Sequence, residues 1–181
     1  MRIIGGRWRG TRLPVADMAG LRPTGDRMRE TLFNWLQPLL PGARVLDLFA
    51  GSGALGLEAL SRGAAEAVLV EKAGPLVAGL GEVVARLPGG EAAAIVQADA
   101  LPWLDSAAAE GRRFDIAFLD PPFDAALWAP ALQRLLPLLA DGAALYIEAP
   151  ASMPAPELPA GWRLHRESGT RDVACRLYRL G

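Results

Sequence analysis

Apolar residues along this chain fall into short, nearly unbroken runs, separated by longer stretches in which they recur every three or four positions. The runs ARVLDLF (43–49), AVLVE (67–71), AAIVQ (93–97), FDIAFL (114–119) and ALYIEA (144–149) have strand length and little polar alternation, as parallel strands buried on both faces do. Between them GALGLEALSRG, GPLVAGLGEVVARL, LPWLDSAAAEG and DAALWAPALQRLLPLLA have helix length. Strand and helix in alternation predict a right-handed, mostly parallel α/β sheet. Near the end GWRLHRES and DVACRLYRL meet at GT, which predicts an antiparallel hairpin on the sheet edge and brings the sheet to seven strands. The proline-rich segment 149–161 reads as a stiff loop before that hairpin. Upstream, GDRMRETLFNWLQPLL places Met28, Leu32, Trp35 and Leu36 on one helical face with Asp26 near the helix start, a packing stripe.

An open α/β sheet binds its ligand at the carboxyl ends of its strands, so the residues leaving each strand carry the functional information. The first exit, DLFAGSGALG, spaces Gly51, Gly53 and Gly56 as G-x-G-x-x-G between a strand and a helix, a nucleotide-binding pattern. Glu71 ends the second strand 20 residues after Gly51, where a carboxylate accepts hydrogen bonds from ribose hydroxyls. Both features also suit a nicotinamide dinucleotide. Asp47 does not, because it stands just before the glycine turn, where a fixed carboxylate repels a pyrophosphate and attracts a cation. S-adenosylmethionine has the same adenosine, no phosphate, and a sulfonium and an ammonium group. The third exit, QADALPW, supplies Asp99, either as an acceptor for the adenine amino group or as the N-cap of the next helix.

The fourth exit belongs to a different partner. FDIAFLDPPFD leaves its strand through Asp120, Pro121, Pro122 and Phe123. Exocyclic amines of nucleobases are poor nucleophiles, because the nitrogen lone pair is delocalised into the ring. Acceptors on both N–H groups, the Asp120 carboxylate and the Pro121 carbonyl, draw the nitrogen toward a tetrahedral geometry with its lone pair aimed at the methyl. The prolines stiffen that carbonyl, and Phe123 stacks on a base turned out of its helix. Asp120 then receives or relays the proton that leaves.

At 181 residues, 51% apolar and 22% charged, the chain has room for one well-buried core with an appendage. Cys175 and His165 are the only residues of their kinds, which argues against a disulfide framework, a cysteine/histidine metal site or a histidine triad. No metal is expected, and the reducing cytoplasm is the expected compartment. No run approaches the ~20 apolar residues that cross a bilayer. The net charge of -1 hides an asymmetry: residues 1–30 hold seven arginines against three acids, while the rest is acidic. A basic arm on an acidic body suits a phosphate-backbone partner. Lysine occurs once, at Lys72, which explains the choice of arginine but not the clustering. Arg7, Arg9, Arg12, Arg22 and Arg27 are expected to meet nucleic-acid phosphates, with Trp8 either stacked on an unpaired base or packed against the body. Residues 1–22 read as an external arm, separable from a domain at 23–181.

The blocks RIIGGRWRGTRL, GLRPTGDRMRETLFNWL, LDLFAGSGALGLEALSRGA, DPPF and CRLYRL stand in an order that resembles the bacterial 16S rRNA guanine-N2 methyltransferases of the RsmD type, within the class I methyltransferases, over essentially the whole chain. The resemblance implies a Rossmann-like fold with an N-terminal β-hairpin presenting arginines to RNA. It also implies S-adenosylmethionine as cofactor, 16S rRNA and the small ribosomal subunit as partners, and a monomer. By the same resemblance Asp47, Phe49, Gly51 and Gly53 shape the donor pocket, Glu71 with Lys72 binds the ribose, Asp99 with the Ala100 backbone reads the adenine, and Asp120, Pro121, Pro122 and Phe123 handle the target amine. EKAGP departs from the family in lacking the second acidic or asparagine residue often found after the ribose-binding glutamate. An adenine-N6 methyltransferase on RNA or DNA has the same need for DPPF. A nicotinamide oxidoreductase gives no reason for Asp47 or DPPF, and a catalytically idle RNA-binding factor has no need of four acidic exits.

Overall fold

The computed structural model describes residues 1–14, 25–123 and 126–181. One sheet runs in the order β3-β2-β1-β4-β5-β7-β6. The strands β1 (Arg44–Asp47), β2 (Glu66–Glu71), β3 (Ala93–Gln97), β4 (Phe114–Leu119) and β5 (Leu139–Pro150) are parallel. The last strand, β7 (Val173–Leu180), inserts antiparallel between β5 and β6 (Trp162–Gly169). The helices are α1 (Asp26–Leu36), α2 (Ala54–Ser61), α3 (Gly74–Val84), α4 (Ala100–Ala109) and α5 (Trp128–Leu135). Two of them are shorter than the apolar pattern predicts, and proline is the reason. Pro130 has no N–H to donate and fits only the first turn of α5, while Pro38 and Pro137 convert the ends of α1 and α5 into 3-10 turns.

The central strands are buried on both faces, so their alternate residues enter different cores. Val45, Leu69, Ile116, Phe118 and Tyr146 pack with α1, α2 and α3; Leu46, Val68, Ala117, Leu119 and Leu145 pack with α4 and α5. Phe33 of α1 lies 6.0 Å from the Phe118 ring, which meets Tyr146 edge-on at 6.1 Å. The buried face of α1 consists of Arg29, Leu32, Phe33 and Leu36. It is rotated from the expected stripe, and Met28 and Trp35 are only partly buried, because Arg29 turns inward to a buried partner, Glu58.

The N-terminal residues form the expected hairpin, but it is not an external arm. A bridge joins Arg2 and Arg12, and Ile3 donates to the Thr11 carbonyl at 3.0 Å. Ile3, Trp8 and Leu13 are buried in the first core. Trp8 donates its backbone N–H to Ser61 Oγ at 2.9 Å and its indole N–H to the Pro88 carbonyl at 3.0 Å. Of the two roles open to it, this ring packs against the body, and its assignment to RNA stacking is corrected. Three apolar residues, Ile3, Trp8 and Leu13, are enough to join the hairpin to the core of the body. The division at residues 22 and 23 falls outside the described residues.

Candidate functional site

The strands β3, β2, β1 and β4 are neighbours in the sheet, so their carboxyl ends form one rim. The chain direction of travel reverses between β1 and β4, which opens a crevice there. Asp47, Glu71, Asp99 and Asp120 follow or end these four strands. Asp47, the last residue of β1, is buried, and its Oδ2 accepts the Gly56 N–H at 2.8 Å. Burial, aided by the charge of Glu71 and opposed by the Gly56 hydrogen bond, raises its carboxyl to about 7. The glycines explain how it fits. Gly51 and Gly53 have φ of 54° and 74°, left-handed values that side chains avoid. A Cβ on Gly53 would meet Leu80 Cδ2 at 2.4 Å, and one on Gly56 would meet Asp47 Oδ2 at 3.2 Å.

Glu71 ties the rim together. Its Oε2 accepts from Gly51 N–H at 2.9 Å and its Oε1 from Ala73 N–H at 2.8 Å, and each oxygen keeps accepting capacity for a ligand hydroxyl. Lys72 beside it is exposed, and Phe49 is half-buried against the second core. Asp99 occupies the N-cap position of α4 without making a side-chain capping bond, and it is exposed. The Ala100 N–H that follows belongs to the first turn, whose donors have no acceptor within the helix.

Asp120 leaves β4 half-buried. Burial first, then the charges of Glu148 and Asp47, push its carboxyl well above the usual carboxylate range. Pro121 is buried behind it, and Phe123 presents an exposed ring 5.9 Å from that of Trp128. Trp128 is fixed by its indole N–H, which donates to the Glu148 carbonyl at 2.9 Å.

Two residues of this neighbourhood, Trp128 and Glu148, escape sequence reading. Glu148 is 4% exposed, and its Oε2 accepts the Tyr146 hydroxyl at 2.9 Å. Asp47 pairs with Phe118 across β1 and β4, and Leu119 pairs with Ile147 across β4 and β5. Continuing that register puts Asp47, Asp120 and Glu148 on the same face of the sheet. Burial, then Glu148, raises the Tyr146 hydroxyl, and burial above all pushes the Cys175 thiol up to about 12. The available signal was a carboxylate in an apolar strand, at the exit of the strand next to DPPF.

Arg7, Arg9, Arg12 and Arg27 are exposed, with Arg7 lying 4.4 Å over the Trp8 ring; Arg22 lies outside the described residues. The hairpin reaches the glycine turn at one point, where Ser52 Oγ donates to Met1 Sδ at 3.3 Å. Beside Leu119, a cavity of about 780 Å³ opens between α5 and the proline-rich loop, lined by Trp128, Leu132, Ile147, Met153 and Leu158 among others. Among the described residues no group of three or more ligating side chains is arranged for a metal ion, and no helix is long and apolar enough to cross a membrane.

Comparison with known proteins places this geometry among relatives. The family model Conserved hypothetical protein 95 matches residues 1–179. Ribosomal RNA small subunit methyltransferase D of Escherichia coli strain K12 is 48% identical over 180 residues, covering 98% of this chain and 89% of that protein. The protein of the same name from Haemophilus influenzae is 40% identical over 181 residues, covering 98% and 93%. The solved structure of a putative methyltransferase from Escherichia coli superposes with a TM-score of 0.89 at 45% identity, over 99% of this chain and 97% of that one.

Proposed function

The chain belongs to the Conserved hypothetical protein 95 family, that of the ribosomal RNA small subunit methyltransferases D, with the class I methyltransferase fold, and on that premise we propose that it methylates the exocyclic N2 amine of a guanine in 16S rRNA. The donor in this reading is S-adenosylmethionine, and the substrate is the small ribosomal subunit, assembled or assembling, in the cytoplasm. The observation that carries the reading is the convergence of Asp47, Glu71, Asp99 and Asp120 on one rim. Asp47 supports a cationic donor, because a buried carboxylate with a single backbone N–H partner gains from a positive ligand and opposes a pyrophosphate.

When bound, S-adenosylmethionine supplies a methyl group on a positively charged sulfur, which departs as a neutral thioether. The residues of the chain bind and orient. Asp47 balances positive charge, Glu71 accepts from ribose hydroxyls, and Asp99 with the Ala100 N–H meets the adenine edge. Asp120 and the Pro121 carbonyl accept the two N–H groups of the target amine, and Phe123, braced by Trp128, stacks on the base. As the nitrogen gains its methyl it loses one N–H proton, and Asp120 takes it. Arg7, Arg9, Arg12 and Arg27 supply cations to RNA phosphates from a monomer.

The test is labelled donor with small subunits from cells lacking the enzyme, followed by nucleoside analysis. N2-methylguanosine is the expected product. N6-methyladenosine would move the reading to an adenine enzyme, and no transfer to RNA would end it.

A further inference from the structure

We propose that the C-terminal hairpin, β6 with β7, is a second RNA-binding surface: Arg163, Arg166 and Arg179, gathered on its α1 face, hold phosphates of the substrate backbone away from the rim. This role rests on the RNA substrate proposed above.

Positive charge collects at both ends of the chain, not only at the start. Residues 162–181 hold five arginines and two acids, whereas residues 31–161 hold seven basic and fifteen acidic side chains. The hairpin sorts its charges by face. Cys175 and Leu177 of β7 belong to the first core, beneath α1, and alternation along the strand puts Arg179 on their side. Arg163 stands opposite Arg179, and Arg166 opposite Leu177, so three arginines share that face. Arg166 is there only because β6 bulges between Leu164 and Arg166; regular alternation from Arg163 would turn it away. The acid of β6, Glu167, lies on the other face and accepts from Arg176 Nε at 2.8 Å. Among the described residues Arg163, Arg166 and Arg179 have no ion pair, the hairpin's bridge being Arg176–Glu167. Arg166 Nη1 donates to the His165 carbonyl at 2.9 Å and Arg179 Nη2 to the Gly142 carbonyl at 3.2 Å, both neutral acceptors. The field is felt by His165, which burial first, then the charges of Arg166 and Arg179, hold below its ordinary value.

An edge strand also carries charge to discourage pairing with another chain, and β6 is an edge. That need covers Arg163 and Arg166 but not Arg179, whose strand is paired on both sides. Like charges directly opposite across a ladder are destabilising, and an acid at either position would guard the edge and form an ion pair as well. A bound polyanion removes the repulsion, and the planar donor fork of arginine matches phosphate oxygens. The placement suits the same RNA that meets the N-terminal hairpin. Helix α1 lies against β6 and against α2, and α2 carries that hairpin through Glu58 and Ser61. Arg27 is exposed in the first turn of α1, so both hairpins and the helix between them present cations on one side of the sheet. Arg171 is exposed in the turn just beyond the Pro150–Val173 pair, at the rim end of the C-terminal hairpin. From there the arginines run down the edge, through Arg166 to the Arg163–Arg179 pair.

Two variants of the full chain separate RNA binding from edge protection. Arg163→Gln with Arg166→Gln and Arg179→Gln removes the charges; Arg163→Glu with Arg166→Glu keeps the edge charged and reverses its sign. The double variant serves alone if the triple one does not fold, because both its positions are exposed. Affinity for 16S rRNA transcribed in vitro, and for small subunits, is measured across salt concentrations, beside donor affinity by calorimetry and thermal melting. In the glutamine variant the slope of log affinity against log salt is expected to fall by ~0.7–0.9 per arginine, about two in all, and KM for RNA to rise roughly ten-fold. The glutamate variant binds both RNAs more weakly still. Donor affinity holds in both, and melting is unchanged or raised as the Arg163–Arg179 repulsion disappears. Wild-type RNA affinity and salt slope in both variants would overturn the inference, as would losses in the glutamine variant that the glutamate variant restores. Weaker binding to subunits with unchanged binding to naked rRNA would give the surface to a ribosomal protein and overturn it too. A product other than methylated guanine would overturn the proposed reaction and leave this surface standing, because its contacts are with phosphates.

Discussion

Buried acid is handled in two opposite ways on the two sides of helix α2. On the hairpin side, Glu58 is completely buried and fully engaged. Its oxygens accept from Ile4 N–H, Gly5 N–H and Arg62 Nε, each at 2.8 Å, with Arg29 Nη1 at 3.8 Å. On the rim side, Asp47 has one backbone N–H, and with Asp120 and Glu148 it forms a group of like charge. Neither Asp47 nor Asp120 has an ion-pair partner among the described residues. A paired carboxylate is structure; Asp47 and Asp120, buried without an ion pair and both raised above the usual carboxylate range, are the candidates for meeting a ligand's charge.

Removing charge therefore has opposite consequences on the two sides. The largest loss is expected for Glu58→Ala, which strands two guanidinium groups and two backbone donors and lowers stability by about 3–5 kcal/mol in denaturant unfolding. Deleting residues 1–14 acts similarly, because it strips Ile3, Trp8 and Leu13 from the core. The truncated protein loses donor binding together with RNA binding, and the arm is not separable as its composition implied. Next, Asp120→Ala lowers methyl transfer by about 10²–10³-fold while donor affinity and thermal stability are maintained. A fall in stability like that of Glu58→Ala would make Asp120 structural.

Asp47→Asn is a smaller change and separates stability from function. Donor binding weakens by about 1–3 kcal/mol, the scale of a charge-assisted hydrogen bond. The donor-free protein becomes more stable above neutrality. The sign follows from linkage: a carboxyl raised from about 4 when unfolded to about 7 when folded binds its proton more tightly in the folded state. That stabilisation is complete below pH 4 and is lost as pH climbs toward 7. Thermal melts across this range fall with pH for the wild type and flatten for the asparagine variant. The smallest effects belong to Arg7, Arg9 and Arg12. Replacing each by Gln lowers the slope of log RNA affinity against log salt by ~0.7–0.9, with no change in donor affinity.

The strands were legible in the sequence because buried parallel strands have no polar face to break the run, and β3 and β4 match their apolar runs residue for residue. The places of Asp47, Glu71 and Asp120 on the rim were legible because each stands at the end of an apolar run that forms a strand. What stayed hidden depends on long-range partners. Trp8 is held by groups 53 and 80 residues away, which no local pattern reveals. Glu58 looks like the polar side of an exposed helix, yet every residue of α2 is buried. Arg27 and Arg29 count equally toward a basic arm, but the first is exposed and the second is wholly enclosed. Glu148 reads as the polar end of a strand, and only the register with β4 sets it beside Asp120.

The most direct test of the charged rim is calorimetric titration of S-adenosylmethionine into wild type and Asp47→Asn from pH 5.5 to 8.5. Wild-type affinity is expected to rise up to ~tenfold per pH unit toward about pH 7. Heats that depend on the ionisation enthalpy of the buffer will report the released proton, and the affinity will level off above that point. The variant binds more weakly and loses most of that pH dependence. Equal affinity for the two proteins at every pH, or wild-type affinity that strengthens as the solution is acidified, would contradict a carboxylate kept for a cationic donor.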